Sequence, residues 1–204
     1  MKKFCLAVLI LAVFSGVIFF IGLSSLKIKT DETGVVISKT SGISPEPIVS
    51  GKLCWNWQFL LPTNAVLKKF SIKPLNVTKK ISGELSNDNP YSFTFEISLT
   101  ASSESIISLL KQNKISDEKD FEKYLENAAG ALAQMSANYY LNRKSQNPSF
   151  QINYARREDI LRAINFSDEY PELILSSFSL TDFTLPDFET NNNDNTDNLT
   201  GENL

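Results

Sequence analysis

Four acids crowd the stretch Ser116-Asp117-Glu118-Lys119-Asp120-Phe121-Glu122, and carboxylates this close are what general acid–base catalysis or a hard-cation site would use. The same residues fit the start of a helix. Ser116 or Asp117 can accept hydrogen bonds from the free amides of a first turn, and Asp117, Glu118 and Asp120 would oppose its positive end. Serines are plentiful, but the chain has no histidine, so both the usual activator of a serine nucleophile and the commonest transition-metal ligand are missing. Cys5 lies in an apolar run and Cys54 stands alone, which supports neither a disulfide framework nor a thiolate zinc site. GxSxG, GxxxxGK[ST] and GxGxxG patterns are absent. Arg156 and Arg157, followed by Glu158 and Asp159, read as a solvated helix start. No catalytic residue, cofactor or metal is therefore expected, and a hydrolase working through carboxylates or lysine alone is the least favoured reading.

The elements that would hold any site sit in a chain of 204 residues with 42% hydrophobic content, enough for one buried domain plus appendages. The net charge of -3 is unevenly spread. Residues 1–29 carry lysines and no acid, whereas 187–204 carry acids and no base. The middle is nearly balanced, so no basic face for nucleic acid is advertised. The 187–204 segment, rich in asparagine, has almost nothing to bury and is expected to be a disordered tail.

After Met1-Lys2-Lys3 comes FCLAVLILAVFSGVIFFIGL, Phe4 to Leu23, without a charge. A helix of that length spans roughly 30 Å, the thickness of a bilayer's hydrocarbon core. The reading adopted is a retained single-pass signal anchor over 1–27, with Lys2 and Lys3 on the cytoplasmic side of a bacterial inner membrane and the rest of the chain exported. The rival is a cleaved secretory signal, with Val13-Phe14-Ser15 or Gly22-Leu23-Ser24 offered to a peptidase, although such apolar regions usually run about 7–15 residues.

The most distinctive stretch is GKLCWNWQFLLPTN, Gly51 to Asn64. Leu53, Trp55, Trp57, Phe59 and Leu61 recur at every second position, the mark of a strand with one buried face, and Pro62 ends it. Core is the first reading of this ladder and contact with lipid headgroups, where indole is favoured, the second.

Around it, TGVVIS at 33–38 reads as a strand, followed by a turn-rich loop. Ala65 to Ile72 reads as another. Gly83 with Asn87-Asp88-Asn89-Pro90 forms a turn before Tyr91 to Leu99, where Phe93, Phe95 and Ile97 alternate with polar residues. Four strands in sequence argue for antiparallel pairing. Helices follow: a short one through Ile106 to Leu110, and a longer one whose Phe121, Leu125, Ala128, Leu132, Met135 and Tyr139 form a stripe, with Gly130 and Ala131 inviting close packing. A third runs from Tyr154 to Asn165. Glu172 to Leu185 returns to extended structure. The fold class is α+β: a membrane helix, then an antiparallel sheet packed by two or three helices.

The order of an anchor, ETGVVISKTSG and SGKLCWNWQFLLPTN resembles the opening of the SPFH or band 7 superfamily, which includes stomatins, prohibitins, flotillins and bacterial modulators of membrane proteases. TFEISLTASSES resembles that family's central strand running into its first helix, and LILSSFSLTDFTLP its closing strand. The similarity covers residues 28–186. Two departures stand out: Tyr170-Pro171-Glu172 replaces the usual glycine before the closing strand, and no long charged coiled coil is matched.

The resemblance implies a membrane-anchored, non-enzymatic scaffold or regulator of neighbouring membrane proteins, a membrane protease among them. Its partners would be the bilayer through residues 4–23, other membrane proteins, and a self or hetero-oligomer. The alternative is an exported, membrane-tethered protein that binds an apolar ligand or lipid between the ladder and Phe93 and Phe95.

Overall fold

The computed structural model describes residues 2–23, 28–85 and 89–185. The expected 187–204 tail and residues 86–88 of the expected turn lie outside these. The first element, α1 (Lys2–Gly22), is 21 residues of almost unbroken apolar sequence. Its side chains are exposed around the whole circumference, and its length and composition suffice to cross a membrane.

Two antiparallel sheets follow. In the smaller one β1 (Glu32–Ser38) is central. It pairs along its full length with β4 (Ala65–Ser71), from Glu32 opposite Ser71 to Ser38 opposite Ala65. On its other side lie two short strands, β2 (Gly42–Ile43) and β3 (Ile48–Val49). Successive β1 residues face opposite ways, and both faces are covered: Val36 packs with Ile28 and Ile48 in a small cluster, while Val35 joins Phe70 in the main core.

The larger sheet has the order β5 (Leu75–Leu85), β6 (Asn89–Ala101), β7 (Leu173–Thr184). One face of β6 places Phe93, Phe95, Ile97 and Leu99 almost wholly out of solvent. Phe95 stacks on Phe93 (6.1 Å), Phe178 (5.6 Å) and Tyr140 (6.4 Å). Burying each such ring contributes about 1.5–3 kcal/mol, so this stack is a main source of the head's stability.

Helix α2 (Ser103–Lys111) is capped by Ser102, whose hydroxyl accepts from the Ser105 amide. Helix α3 (Glu118–Gln146) starts at Asp117, whose carboxylate accepts from the Asp120 amide at 3.0 Å. α3 touches both sheets. Near its start Phe121 meets Phe70 edge to face, and Glu118 accepts from the Ser71 amide; farther along, Tyr140 lies on Phe93. Helix α4 (Arg157–Ile164) ends at Asn165, which takes a left-handed conformation (φ 51°), and the single turn α5 (Phe166–Glu169) leads into β7.

Several expectations need correction. Leu53 to Leu61 is not a strand: the chain bends, and Trp57–Leu60 forms one 3-10 turn, because the Asn56 side chain accepts from the Gln58 amide and closes the backbone on itself. The strands number seven in two sheets among the described residues, not four in one. The short β2 and β3 lie in the expected turn-rich loop, and the longest overlooked strand, β5, has a half-buried row of Leu75, Val77, Lys79, Ile81, Gly83 and Leu85; lysine and glycine within it break the apolar alternation. Gly83 belongs to this strand and not to the turn. On α3 the buried face holds Phe121, Leu125, Ala128 and Leu132 as expected, but then passes to Ser136 and Tyr140, leaving Met135 and Tyr139 at its margin. Gly130 makes no close approach, since a Cβ there would meet nothing within 4 Å. The third helix starts at Arg157, after a separate 3-10 turn at Ile152–Tyr154.

Candidate membrane junction

The distinctive tryptophan segment meets the chain again at the end of α1. Gly22 closes the apolar helix, and its carbonyl accepts from the Asn56 amide at 2.8 Å. Leu23 and Trp55 form a single antiparallel bridge beside it. The Trp55 indole lies flat against Gly22: a Cβ there would stand 2.3 Å from the indole nitrogen and 2.5 Å from its ring carbon. Only glycine admits this approach. Asn56 thus uses its backbone to hold the end of α1 and its side chain to turn the segment toward Trp57. The membrane-span candidate is joined to the head by packing as well as by the 24–27 connection.

The ladder residues divide. Phe59 turns inward and packs against the small cluster of Ile28, Val36 and Ile48. The others face outward, with Leu53 78% exposed, Trp55 44%, Trp57 51% and Leu61 43%. The core reading of the ladder as a whole is therefore overturned. Phe93 and Phe95 are buried in the main core, whereas Phe59 packs with the small cluster, so these rings and the inward side chain of the ladder belong to different clusters. Turn geometry explains why the ladder divides: a 3-10 repeat of three residues rotates Phe59 away from Trp57, whereas a strand would have kept them on one side.

Charges around the head are used structurally. Lys114 donates to Glu172 at 3.0 Å, joining the loop before α3 to the start of β7. Burial works to raise the Glu172 carboxyl pKa, but the Lys114 hydrogen bond, a backbone hydrogen bond, the Lys114 charge and Gln112 together outweigh it and the net shift is downward. Glu118 shifts the other way, because burial outweighs its hydrogen bonds from the Ser71 amide. Of the acid cluster, Asp117 caps α3, Glu118 holds β4 and Asp120 binds Ser116. Among the described residues no group of three or more Cys, Asp or Glu could hold a metal ion.

A groove of about 490 Å³ lies between the end of α3 and α4, lined by Tyr139, Arg143, Phe150, Tyr154, Asp159 and Arg162 among others. Its two arginines lie on different helices, so no spacing in the sequence connects them. Arg156 and Arg157 take no part in its wall; Arg157 donates instead to the Leu175 carbonyl at 3.0 Å. Gly22 was also missed. The only sequence signal was a glycine ending an apolar run, which equally suits a peptidase site.

No family model matches the chain. A protein of Treponema pallidum (strain Nichols), described as uncharacterized, is 24% identical over 204 residues, covering 91% of this chain and 68% of that protein.

Proposed function

We propose that the chain is a single-pass membrane protein whose SPFH-like head, outside the cytoplasm of a bacterial cell, acts without catalysis as a scaffold or regulator of neighbouring membrane proteins. The observation that carries this reading is the junction: α1 ends in direct contact with Trp55 and Asn56, so the head is fixed to its anchor and not merely leashed to it. A head so fixed presents the same faces to anything that diffuses beside it in the bilayer, which is what positioning requires. The family part of the proposal rests on the sequence resemblance, and the α+β order of an apolar helix, antiparallel sheets and packing helices supplies the head it needs. A membrane protease is one partner the resemblance implies.

Affinity capture of the tagged chain from native membranes in mild detergent tests the proposal. The expected result is recovery of a defined membrane protein, or of further copies of this chain, in a complex that survives sizing. Recovery of the chain alone as a monomer overturns it.

A further inference from the structure

The turn that clasps the anchor also leaves large apolar side chains uncovered. Leu53, Trp55, Trp57 and Leu61 fall within nine residues and all are at least 43% exposed, although Phe59 between them is tucked into the small core. Exposed apolar groups gathered in this way mark a contact surface. Their position identifies the occupant. Trp55 rests on Gly22, the last residue of α1, and the helix before it rises about 31 Å over 21 residues, one hydrocarbon thickness. With α1 spanning a bilayer, Trp55 stands where acyl chains give way to headgroups, and Trp57 follows two residues later. That boundary is where indole, apolar in body with one N–H donor, is preferred.

We infer that Leu53, Trp57 and Leu61, together with Trp55, form an interfacial foot that inserts into the lipid leaflet from which the head emerges, giving the head a second bilayer contact beside α1. This rests on the anchored reading of α1 but on no protein partner. Two contacts also fix what one leaves free: a foot beside the helix resists tilting of the head and keeps one of its faces toward the lipid. Between the outward side chains, the Asn56, Gln58 and Phe59 amides are bonded within the segment or to α1.

The test uses the full chain in phosphatidylcholine vesicles whose acyl chains carry bromine at a shallow or a deep position, with no other protein present. In a Trp55→Phe chain, where Trp57 is the remaining tryptophan, the expected result is strong quenching by shallow bromine and weaker quenching by deep bromine. Quenching of Trp55 in a Trp57→Phe chain with none of Trp57 in the other would overturn the foot, since Trp55 touches the anchor in any case. The same Trp55→Phe chain carrying also Leu53→Ser and Leu61→Ser keeps Trp57 as its remaining tryptophan; it is expected to lose shallow quenching of Trp57, and unchanged quenching would also overturn the inference. Because the vesicles hold this chain alone, failure here leaves the positioning role standing, and failure of capture from native membranes leaves the foot standing.

Discussion

Gly22 and Trp55 are in contact closely enough that no side chain fits between them, a Cβ at Gly22 falling 2.3 Å from the indole nitrogen. A bulky residue at this position must push the indole away and with it the Asn56 amide, which is bonded to the Gly22 carbonyl. In a Gly22→Val chain the Asn56 amide is therefore expected to exchange with solvent faster than in the parent, while amides of β6 keep their protection. Hydrogen exchange read by mass spectrometry checks this, and equal protection of Asn56 in both chains would show that the contact does not hold the junction.

Core and surface aromatics are expected to separate cleanly in stability. Phe95→Ala removes a ring stacked on three others and should cost about 3–5 kcal/mol. Trp57→Ala, on a half-exposed turn, should change head stability by no more than about 0.5 kcal/mol in detergent. Urea titration followed by circular dichroism at the sheet's signal compares the two directly.

The Lys114–Glu172 pair should make the head sensitive to acid. Burial favours the neutral form of Glu172, yet the hydrogen bond and charge of Lys114, with a backbone hydrogen bond and Gln112, hold its folded pKa below the ordinary 4.5. The pair's stabilisation is thus present above that ordinary value and lost as pH falls through the folded one. Lys114→Met removes the strongest of the interactions that oppose burial, so the folded pKa should rise and the acid-range dependence of stability on pH seen in the parent should weaken. At neutral pH the substitution should cost roughly 1–2 kcal/mol, kept modest because Lys114 is partly solvated. Urea midpoints measured between neutral pH and the carboxylate range give both numbers.

At the alkaline end the informative group is Tyr140, whose hydroxyl burial pushes up from 10.0 to about 12, with the neighbouring Tyr139 adding to the shift. A phenol harder to ionise when folded contributes stability that is complete below pH 10.0 and is lost as pH rises toward about 12. Tyr140→Phe keeps the stacking on Phe93 and Phe95 and removes the titration. The variant should match the parent at pH 7 and outlast it at high pH, as thermal unfolding at the two values would show.

How much was legible in the sequence depended on whether a local pattern had a single physical meaning. Tyr91 to Leu99 alternates apolar and polar without a break, and the strand is there. Asp117 was recognisable as a cap because a short acid before an amphipathic run has few other uses. Leu53 to Leu61 shows the same alternation and is no strand, since Asn56 offers the backbone a competing hydrogen bond that a hydropathy pattern does not register. β5 was hidden by Lys79 and Gly83 in its inward row. The stripe on α3 was followed at fixed steps too far along a long helix, so Tyr139 was chosen where Tyr140 is buried. The junction itself could not be read, because Gly22 and Trp55 are thirty-three positions apart and only the folded chain makes their sizes complementary.

Helix α3 holds the small sheet through Glu118 and Phe121 and the large sheet through Tyr140, and between these points it is an unbroken rod. A tilt of the half that carries Glu118 and Phe121 cannot be absorbed midway along such a rod. It swings the opposite tip, so the Arg143 end is geared to the orientation of the small sheet, and severing either attachment would put that gear out of mesh.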